Sequence, residues 1–140
     1  LLVRSLIADG LATTAHDTSE GGLLVALVEM LFSARTGATI ALQPLLDAND
    51  GRLDRTCFGE AASRIIVAVP KGSVEEVLKR ASDNDLDAQR IGTVGGGQEM
   101  VLDLAAGVRR TSRRWSEKRR SSRAVRSRTC LAFGSTRCPA

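Results

Sequence analysis

The chain has 140 residues, of which 43% are hydrophobic but only 3% aromatic, so we expect one domain whose core is built from Leu, Val, Ile and Ala. It lacks a run of about 18 apolar residues, which excludes a membrane-spanning helix of ordinary length. The cysteines Cys57, Cys130 and Cys138 have no paired spacing, which argues against a disulfide scaffold or a zinc site. The chain begins at Leu1 without a Met or a signal-peptide pattern. We therefore expect a fragment of a cytoplasmic protein.

The net charge of +4 conceals two regions of opposite sign. Residues 1–106 carry 9 basic and 15 acidic residues, whereas residues 107–140 carry 11 basic residues and one acidic residue. The isoelectric point near 9.5 is thus a property of the tail and says nothing about the partners of the domain. We predict an α/β domain over 1–106 and an Arg/Ser-rich tail over 107–140. This tail is expected to be disordered, or to result from a shifted reading frame near residues 104–107.

The first third of the chain predicts two helices separated by a loop. Apolar positions over 1–13 indicate an amphipathic helix that enters the domain, and a polar loop follows over 16–20. Residues 23–34 are apolar nearly all round, which is typical of a helix buried in the middle of a domain. Ser19 is the predicted N-cap of this helix, since its hydroxyl can satisfy a free amide of the first turn.

The middle of the chain alternates between strands and polar segments. Residues 39–42 predict a short strand, and residues 44–56 predict a polar connection that contains Pro and an Asn-Asp-Gly turn. Residues 65–69 form the strongest strand signal, because they are β-branched or small apolar residues and are followed directly by Pro70.

The last part of the domain predicts one helix and two strands. The helix spans 73–83, where Ser73 and Glu76 match a capping box and apolar residues recur at helical spacing. Residues 88–94 and 100–104 predict strands that are joined as a hairpin through three consecutive glycines. The predicted fold class is therefore α/β, with a mixed β-sheet packed against helices.

The first candidate site is the segment from His16 to Leu23. Asp17 precedes a predicted helix start, and Gly21 and Gly22 lack side chains that would keep an anion from the backbone amides. A carboxylate here fits a magnesium ion that bridges phosphate oxygens, because Mg²⁺ uses one or two carboxylates together with phosphates. From the residues alone the alternative stays open that the acidic and hydroxyl side chains cap the helix and that the glycines allow close packing.

The second candidate site is the segment 58–64, directly before the strongest strand. Glu60 and Arg64 at the mouth of a sheet suit a polar substrate that bears a phosphate. The alternative is a local turn with a solvated arginine. Cys57 and the only histidine, His16, are a conceivable nucleophilic pair, but a small buried cysteine is the alternative there.

A third segment, residues 91–97, is rich in glycine but matches no nucleotide-binding motif. A P-loop is excluded because no Gly-Lys-Ser/Thr follows, and a dinucleotide fingerprint is excluded because a strand rather than a helix comes next. We therefore interpret these glycines as a turn between strands.

In this order and spacing the segments 16–23, 58–64 and 90–95 resemble the phosphoribosylformylglycinamidine synthase family. The resemblance covers about residues 1–104 and is to the C-terminal domain that this family shares with aminoimidazole ribonucleotide synthetase. It implies a fragment of the second of two duplicated modules of the large subunit. The implied reaction is the ATP-dependent conversion of formylglycinamide ribonucleotide, with ammonia from glutamine, into the amidine in purine synthesis.

The resemblance also implies roles for single residues, with ATP and Mg²⁺ as cofactors. Asp17 corresponds to a metal-binding aspartate, and Glu60 to the first residue of a Glu-Ser-Gln substrate contact. Gly21 and Gly22 as a nucleotide-binding helix start, and Arg64 as a substrate contact, rest on the residues alone; no residue is assigned a catalytic role.

Two departures from the family pattern affect what this chain is expected to do. Ala61 and Ala62 stand where the catalytic module has Ser and Gln, and alanine cannot hydrogen-bond a substrate. This implies an auxiliary module that depends on the remaining modules and a glutamine amidotransferase, and we expect the chain alone to be inactive.

Two other functions remain open at this point. Sister families of the same superfold, such as selenophosphate synthetase, thiamine-phosphate kinase and hydrogenase maturation proteins, also place an acidic loop before a Gly-Gly helix start. The basic tail is also able to bind nucleic acid nonspecifically through phosphates. Its only aromatic residues are Trp115 and Phe133, which gives little support to sequence-specific binding.

Overall fold

The computed structural model describes residues 2–60, 62–95 and 97–104, together with the backbone of 108–111 and 128–134. Its helices are α1 (Leu2–Ala8), α2 (Gly22–Ala34), α3 (Gln43–Asp47), α4 (Leu53–Phe58) and α5 (Val74–Ser82). Its strands are β1 (Thr14–Asp17), β2 (Ala38–Ala41), β3 (Ile65–Pro70), β4 (Asp87–Val94), β5 (Met100–Leu104), β6 (Val108–Thr111) and β7 (Arg128–Gly134). In the described part of the chain, no helix is both long enough and apolar enough to cross a membrane.

All seven strands belong to one mixed sheet, which confirms the predicted α/β class. The strand order is β1-β3-β7-β4-β2-β5-β6. The pair β2–β5 is parallel and the other neighbouring pairs are antiparallel. Side chains alternate across β3, so that Ile66 joins a core with α2, α3 and α4 while Val67 and Val69 join a second core with α1 and α5. The result is a three-layer arrangement with helices on both faces of the sheet.

The amphipathic helices α1 and α5 are confirmed, although the predicted capping box of α5 is wrong. A short 3₁₀ turn over Lys71–Ser73 leads into α5, and Ser73 has φ −104° and ψ 0°, so its hydroxyl makes no cap hydrogen bond. Glu76 instead accepts a 2.8 Å hydrogen bond from Arg80 one turn later on the helix surface.

The apolar helix α2 is buried on one face only, which corrects the prediction of a helix buried all round. Leu23, Ala26 and Leu27 are at most 1% exposed, whereas Val28 and Phe32 are 45% and 61% exposed. Helix α2 packs with one face against the sheet. In the described part of the chain, no further layer covers the face of α2 that points away from the sheet.

The predicted polar connection over 44–56 is wrong, because this stretch contains α3 and α4. Thr56 is fully buried and its hydroxyl donates to the carbonyl of Arg52 at 2.8 Å. Leu45, Leu46 and Cys57 reach the same core as α2. Short helices with so few apolar residues are hard to detect from periodicity, and their stability comes from this packing.

At the start of α4, Arg52 holds the carboxylate of Asp54 in its charged form. Arg52 donates two hydrogen bonds to Asp54, at 3.2 and 2.6 Å, and this side-chain contact, together with the backbone amide of Arg55, lowers the pKa of Asp54 to about 2. We expect an NMR titration of the Asp54 carboxyl carbon to show a midpoint near 2. In Arg52→Gln the midpoint should rise toward the ordinary value of about 3.9, whereas in Arg4→Gln it should not move. An unshifted Asp54 in the wild type would contradict the contact.

Because the folded pKa of Asp54 is below its unfolded value, this contact favours the folded state above the unfolded pKa. That contribution is lost as the pH falls through the folded value near 2. Its size is limited by solvent, since both side chains are more than half exposed.

The predicted hairpin between β4 and β5 is wrong, although both strands are confirmed. Strand β2 lies between them, antiparallel to β4 and parallel to β5. The crossing chain is held at Gly37, whose carbonyl accepts a 2.8 Å bond from Gly95, and the amide of Ala38 donates to Glu99 at 3.0 Å. The three glycines predicted a tight turn, but pairing both strands with β2 satisfies more backbone groups than a two-stranded hairpin would.

Two short segments of residues 107–140, β6 and β7, pair with the sheet, while the domain boundary and the disorder of the tail stay predictions. Strand β6 pairs with β5, and β7 pairs with both β3 and β4. Residues 130–133 read Cys-Leu-Ala-Phe, the longest apolar run of the tail, but the Arg and Ser around them dominate the overall composition. The predicted frame shift near residues 104–107 and the predicted nucleic-acid contacts of the tail stay predictions. Most of the residues concerned, and all side chains of the tail, lie outside the described part of the chain.

Candidate functional site

The segment 16–20 begins as strand and not as the predicted loop. His16 and Asp17 end strand β1, and Asp17 lies opposite Ile65 at the start of β3. The next residue, Thr18, is fully buried, and its amide donates a 3.1 Å hydrogen bond to the carbonyl of Arg64. This bond extends the pairing of β1 with β3 by one residue and brings the first and second candidate segments side by side.

The carboxylate of Asp17 lies on the surface, with its side chain 62% exposed. One of its oxygens accepts a 2.6 Å hydrogen bond from the hydroxyl of Ser19. The predicted N-cap is therefore wrong: Ser19 bonds Asp17, and α2 has no side-chain cap of its own from this residue. An exposed, oriented carboxylate with one oxygen free of that bond is able to accept a cation.

The His16 ring contacts its neighbour Asp17 within β1 through one nitrogen and Glu29 of α2 through the other. Its Nδ1 lies 2.7 Å from the carbonyl oxygen of Asp17, and its Nε2 lies 3.0 Å from a carboxylate oxygen of Glu29. Glu29 was not predicted as a site residue, although it is the only charged residue of the otherwise apolar α2. That isolated charge was the available sequence signal.

Glu60 reaches the amino-terminal end of α2. Its Oε1 accepts a 3.1 Å hydrogen bond from the amide of Gly21, which precedes the helix in a left-handed conformation with φ 71°. A carboxylate is favourable at this position because the free amides and the helix dipole attract negative charge. The second candidate segment therefore contacts the start of α2 through the N-cap residue Gly21, although the first-turn amides of α2 have no side-chain cap.

Gly22 is buried against the end of α4. A Cβ at this position would lie 2.6 Å from the backbone carbon of Phe58, and the φ of Gly22 is 76°. Close approach of α2 to α4 therefore requires glycine, which supports the packing alternative for this residue.

The five residues predicted for the site lie at one end of the β1–β3 pair: Asp17, Gly21, Gly22, Glu60 and Arg64. Among the described residues there is no cluster of three His, Cys, Asp or Glu side chains that could hold a metal ion. Asp17 therefore fits a magnesium ion only as a single carboxylate ligand. The other ligands would be phosphate oxygens and water, the usual arrangement for Mg²⁺ with nucleotides.

The third segment lies at the opposite end of the sheet from these residues. In the register, Ile65 and Ala88 both face Phe133, whereas Val69 and Thr93 both face Thr129. The glycines after β4 therefore belong to the crossing to β5. Gly92 is explained by packing, because a Cβ there would lie 2.4 Å from the carbonyl oxygen of Thr39.

Cys57 is a buried core residue and is 4% exposed. Burial raises the pKa of the Cys57 thiol, which lowers its reactivity, and His16 is held by Glu29. We expect iodoacetamide at pH 8 to alkylate Cys57 at least about tenfold more slowly in the folded chain than in urea, as measured by peptide mass spectrometry. Equal rates in both states would contradict the buried position.

Comparison with known proteins identifies the shared region. Residues 1–105 match the family described as AIR synthase related protein, C-terminal domain. A phosphoribosylformylglycinamidine synthase subunit PurL of Thermomicrobium roseum is 44% identical over 102 residues, which cover 73% of this chain and 14% of that protein. The PurL of Moorella thermoacetica is 44% identical over 100 residues, covering 71% and 13% respectively.

The PurL of Sinorhizobium fredii is 40% identical over 105 residues, which cover 74% of this chain and 13% of that protein. The matched part thus spans about one seventh of these relatives, and it contains β1 to β5 with all five predicted site residues. The chain belongs to the AIR synthase related proteins, as a member of their C-terminal domain family.

Proposed function

We propose that this chain is part of a cytoplasmic phosphoribosylformylglycinamidine synthase, an ATP-dependent ligase of purine biosynthesis. Two facts support the proposal. The relatives named phosphoribosylformylglycinamidine synthase subunit PurL are 44% identical in sequence to this chain. The first and second candidate segments are also hydrogen-bonded to each other. The single observation that carries it is the pair of bonds from Thr18 to Arg64 and from Gly21 to Glu60, which joins the two segments into one site.

The proposed reaction gives a use to a surface carboxylate beside a helix start. ATP transfers a phosphoryl group to the amide oxygen of formylglycinamide ribonucleotide, and ammonia then displaces phosphate to leave the amidine. In this scheme Asp17 holds the magnesium ion, Gly21 and Gly22 border the phosphates, and Glu60 and Arg64 face the substrate. In a catalytic module such groups stabilise a transferring phosphoryl through charge and position; in an auxiliary module they would hold a nucleotide that is not turned over.

We propose further that this module binds nucleotide without turning it over. Ala62 is exposed beside the site and has no group that could hydrogen-bond a substrate, and Ala61 shares that limit. The carboxylate of Glu60 already bonds the Gly21 amide, so a phosphate at that amide would have to displace it. Both features favour an auxiliary role within a larger enzyme.

The surface beside the site supports partners of the same enzyme. A groove of about 740 Å³ runs between β1 and α2, lined by Thr14, His16, Glu29 and Phe32 among others. Within the described residues β1 pairs only with β3, which leaves its outer edge open. We propose that the remaining modules cover this surface and that a glutamine amidotransferase supplies ammonia to them.

Complementation tests the proposed function. The 140 residues replace the corresponding C-terminal part of a synthetase in a purine-auxotrophic strain, and growth without purines is measured. We expect growth from the chimera and none from the 140 residues expressed alone. A soluble chimera that does not support growth would contradict the proposal. A chimera carrying Arg4→Gln, a substitution outside the predicted site, serves as the control and should grow as well as the unsubstituted chimera.

The role of Asp17 is tested by ligand binding to the same chimera. The shift in melting temperature caused by ADP with Mg²⁺ is compared with the shift caused by ADP with EDTA. We expect Asp17→Asn to reduce the magnesium-dependent part of this shift, and Asp47→Asn on the distant helix α3 to leave it unchanged. An unaltered shift in Asp17→Asn would remove Asp17 from the metal site.

A further inference from the structure

The strands β3 and β4, with α5 between them in sequence, form a β-α-β unit that is split by one strand. Both β3 and β4 are antiparallel to β7, so they run parallel to each other on either side of it. Neighbouring strands lie about 4.8 Å apart, so the gap between β3 and β4 is about 10 Å, which fits one strand. The gap is thus a consequence of how residues 65–94 fold.

Among the described residues within the region shared with the relatives, no strand occupies this gap. That region ends at residue 105, and β7 lies beyond it. Strand β1 pairs with the other edge of β3, and β2 pairs with the other edge of β4. Within the described residues of the shared region, β1–β3 and β4–β2–β5 are therefore linked in the sheet only through β7.

An empty gap would leave buried backbone groups unpaired. The carbonyls of Arg64 and Ala68 accept bonds from the β1 side, so the alternate residues of β3 direct their backbone groups toward the gap. With β7 in place, two of these residues, Val67 and Val69, are fully buried and pack in the core beneath α5. Because an unpaired amide or carbonyl in a sheet interior is strongly unfavourable, a strand that pairs with both edges of this gap stabilises the fold.

We propose that the gap between β3 and β4 is a strand-acceptor site, and that residues 128–134 of the basic tail are its occupant in this protein. The register runs without interruption from Ile65 opposite Phe133 to Pro70 opposite Arg128 on one side. On the other side it runs from Asp87 opposite Gly134 to Val94 opposite Arg128, with one irregularity at residues 90–92.

The sequence of the tail supports this occupant. The run from Cys130 to Phe133 is the longest apolar run of residues 107–140, and residues 129–134 carry no charge although arginines flank them. An uncharged apolar segment suits the centre of a sheet that is covered by helices on both faces. The site takes an extended chain that is antiparallel to both neighbours, and this inference does not depend on the proposed enzymatic function.

Proline at the middle of β7 tests the proposal in the full chain. Leu131 lies opposite both Val67 and Arg90, and Leu131→Pro removes an amide that an interior strand must donate. We expect residue-resolved hydrogen exchange to show loss of protection at the gap-facing amides of β3 and β4. The control Leu131→Val keeps the amide and should keep the protection. Unchanged protection in Leu131→Pro would overturn the proposal.

A synthetic peptide of residues 126–136 tests the acceptor site directly. We expect a fluorescein-labelled peptide to bind Leu131→Pro, whose gap is vacated, and not the wild-type chain, whose gap is filled. The same peptide with proline at position 131 should bind neither. If Leu131→Pro does not fold, the peptide is added during refolding. Recovery of folded Leu131→Pro with the wild-type peptide, but not with the proline peptide, supports the proposal. No recovery of folded protein with either peptide contradicts it.

Discussion

Gly22→Ala is expected to destabilise the folded chain by about 3 kcal/mol or more, a large fraction of a typical domain stability. Two effects add at this position. The φ of 76° strains any residue that has a Cβ, and that Cβ would lie 2.6 Å from the backbone carbon of Phe58 and 3.0 Å from the carbonyl oxygen of Cys57. Backbone atoms cannot rotate away as a side chain does, so α2 would have to move from α4. The free energy of unfolding from urea denaturation measures the effect.

Two other glycines separate these effects. Gly51 has φ 71°, and a Cβ added there would meet no atom within 4 Å, so Gly51→Ala should show the strain alone, about 1 kcal/mol. Gly72 also has open space and no positive φ, so Gly72→Ala should change the stability by less than about 0.5 kcal/mol. If Gly22→Ala were no more destabilising than Gly51→Ala, the close packing of α2 on α4 would be wrong.

Gly37→Ala is expected to destabilise the chain by about 2–3 kcal/mol through steric overlap alone. A Cβ at Gly37 would lie 2.3 Å from the carbonyl oxygen of Glu99, and no positive φ contributes. The same carbonyl accepts the amide of Ala38, and Gly37 itself accepts the amide of Gly95. The substitution therefore acts on the crossing between β4 and β5.

Hydrogen exchange locates the damage caused by Gly37→Ala. We expect the amides of β5 that pair with β2 to lose protection first, because the crossing positions β5 beside β2. The amides that pair β1 with β3 lie at the opposite edge of the sheet from β5, and their protection serves as the internal reference. Equal protection of β5 in the variant and the wild type would favour the hairpin that the sequence predicted.

Sequence patterns predicted residues at this end of the sheet but not the contacts between them. Asp17 and Glu60 were predicted as site residues from local motifs, and they lie at the same end of the sheet. The partners of Glu60 and His16 were not predictable, because the bonds from Gly21 to Glu60 and from His16 to Glu29 join residues far apart in sequence or on different elements. Ser19 had the right residue type for a helix cap, but a nearer acceptor, Asp17, takes its hydroxyl proton.

The sequence by itself determined the α/β class, the positions of α1, α2, α5 and β3 to β5, and the family, since these depend on local periodicity and on short motifs. The tertiary structure alone decided strand neighbours: β2 separates β4 from β5, and β7 separates β3 from β4. The physical reason is that a strand satisfies its backbone groups on any free edge, and the residues of the strand do not specify which one. Residues 128–134 pair with β3 and β4, a position that the Arg/Ser-rich composition of the tail does not predict.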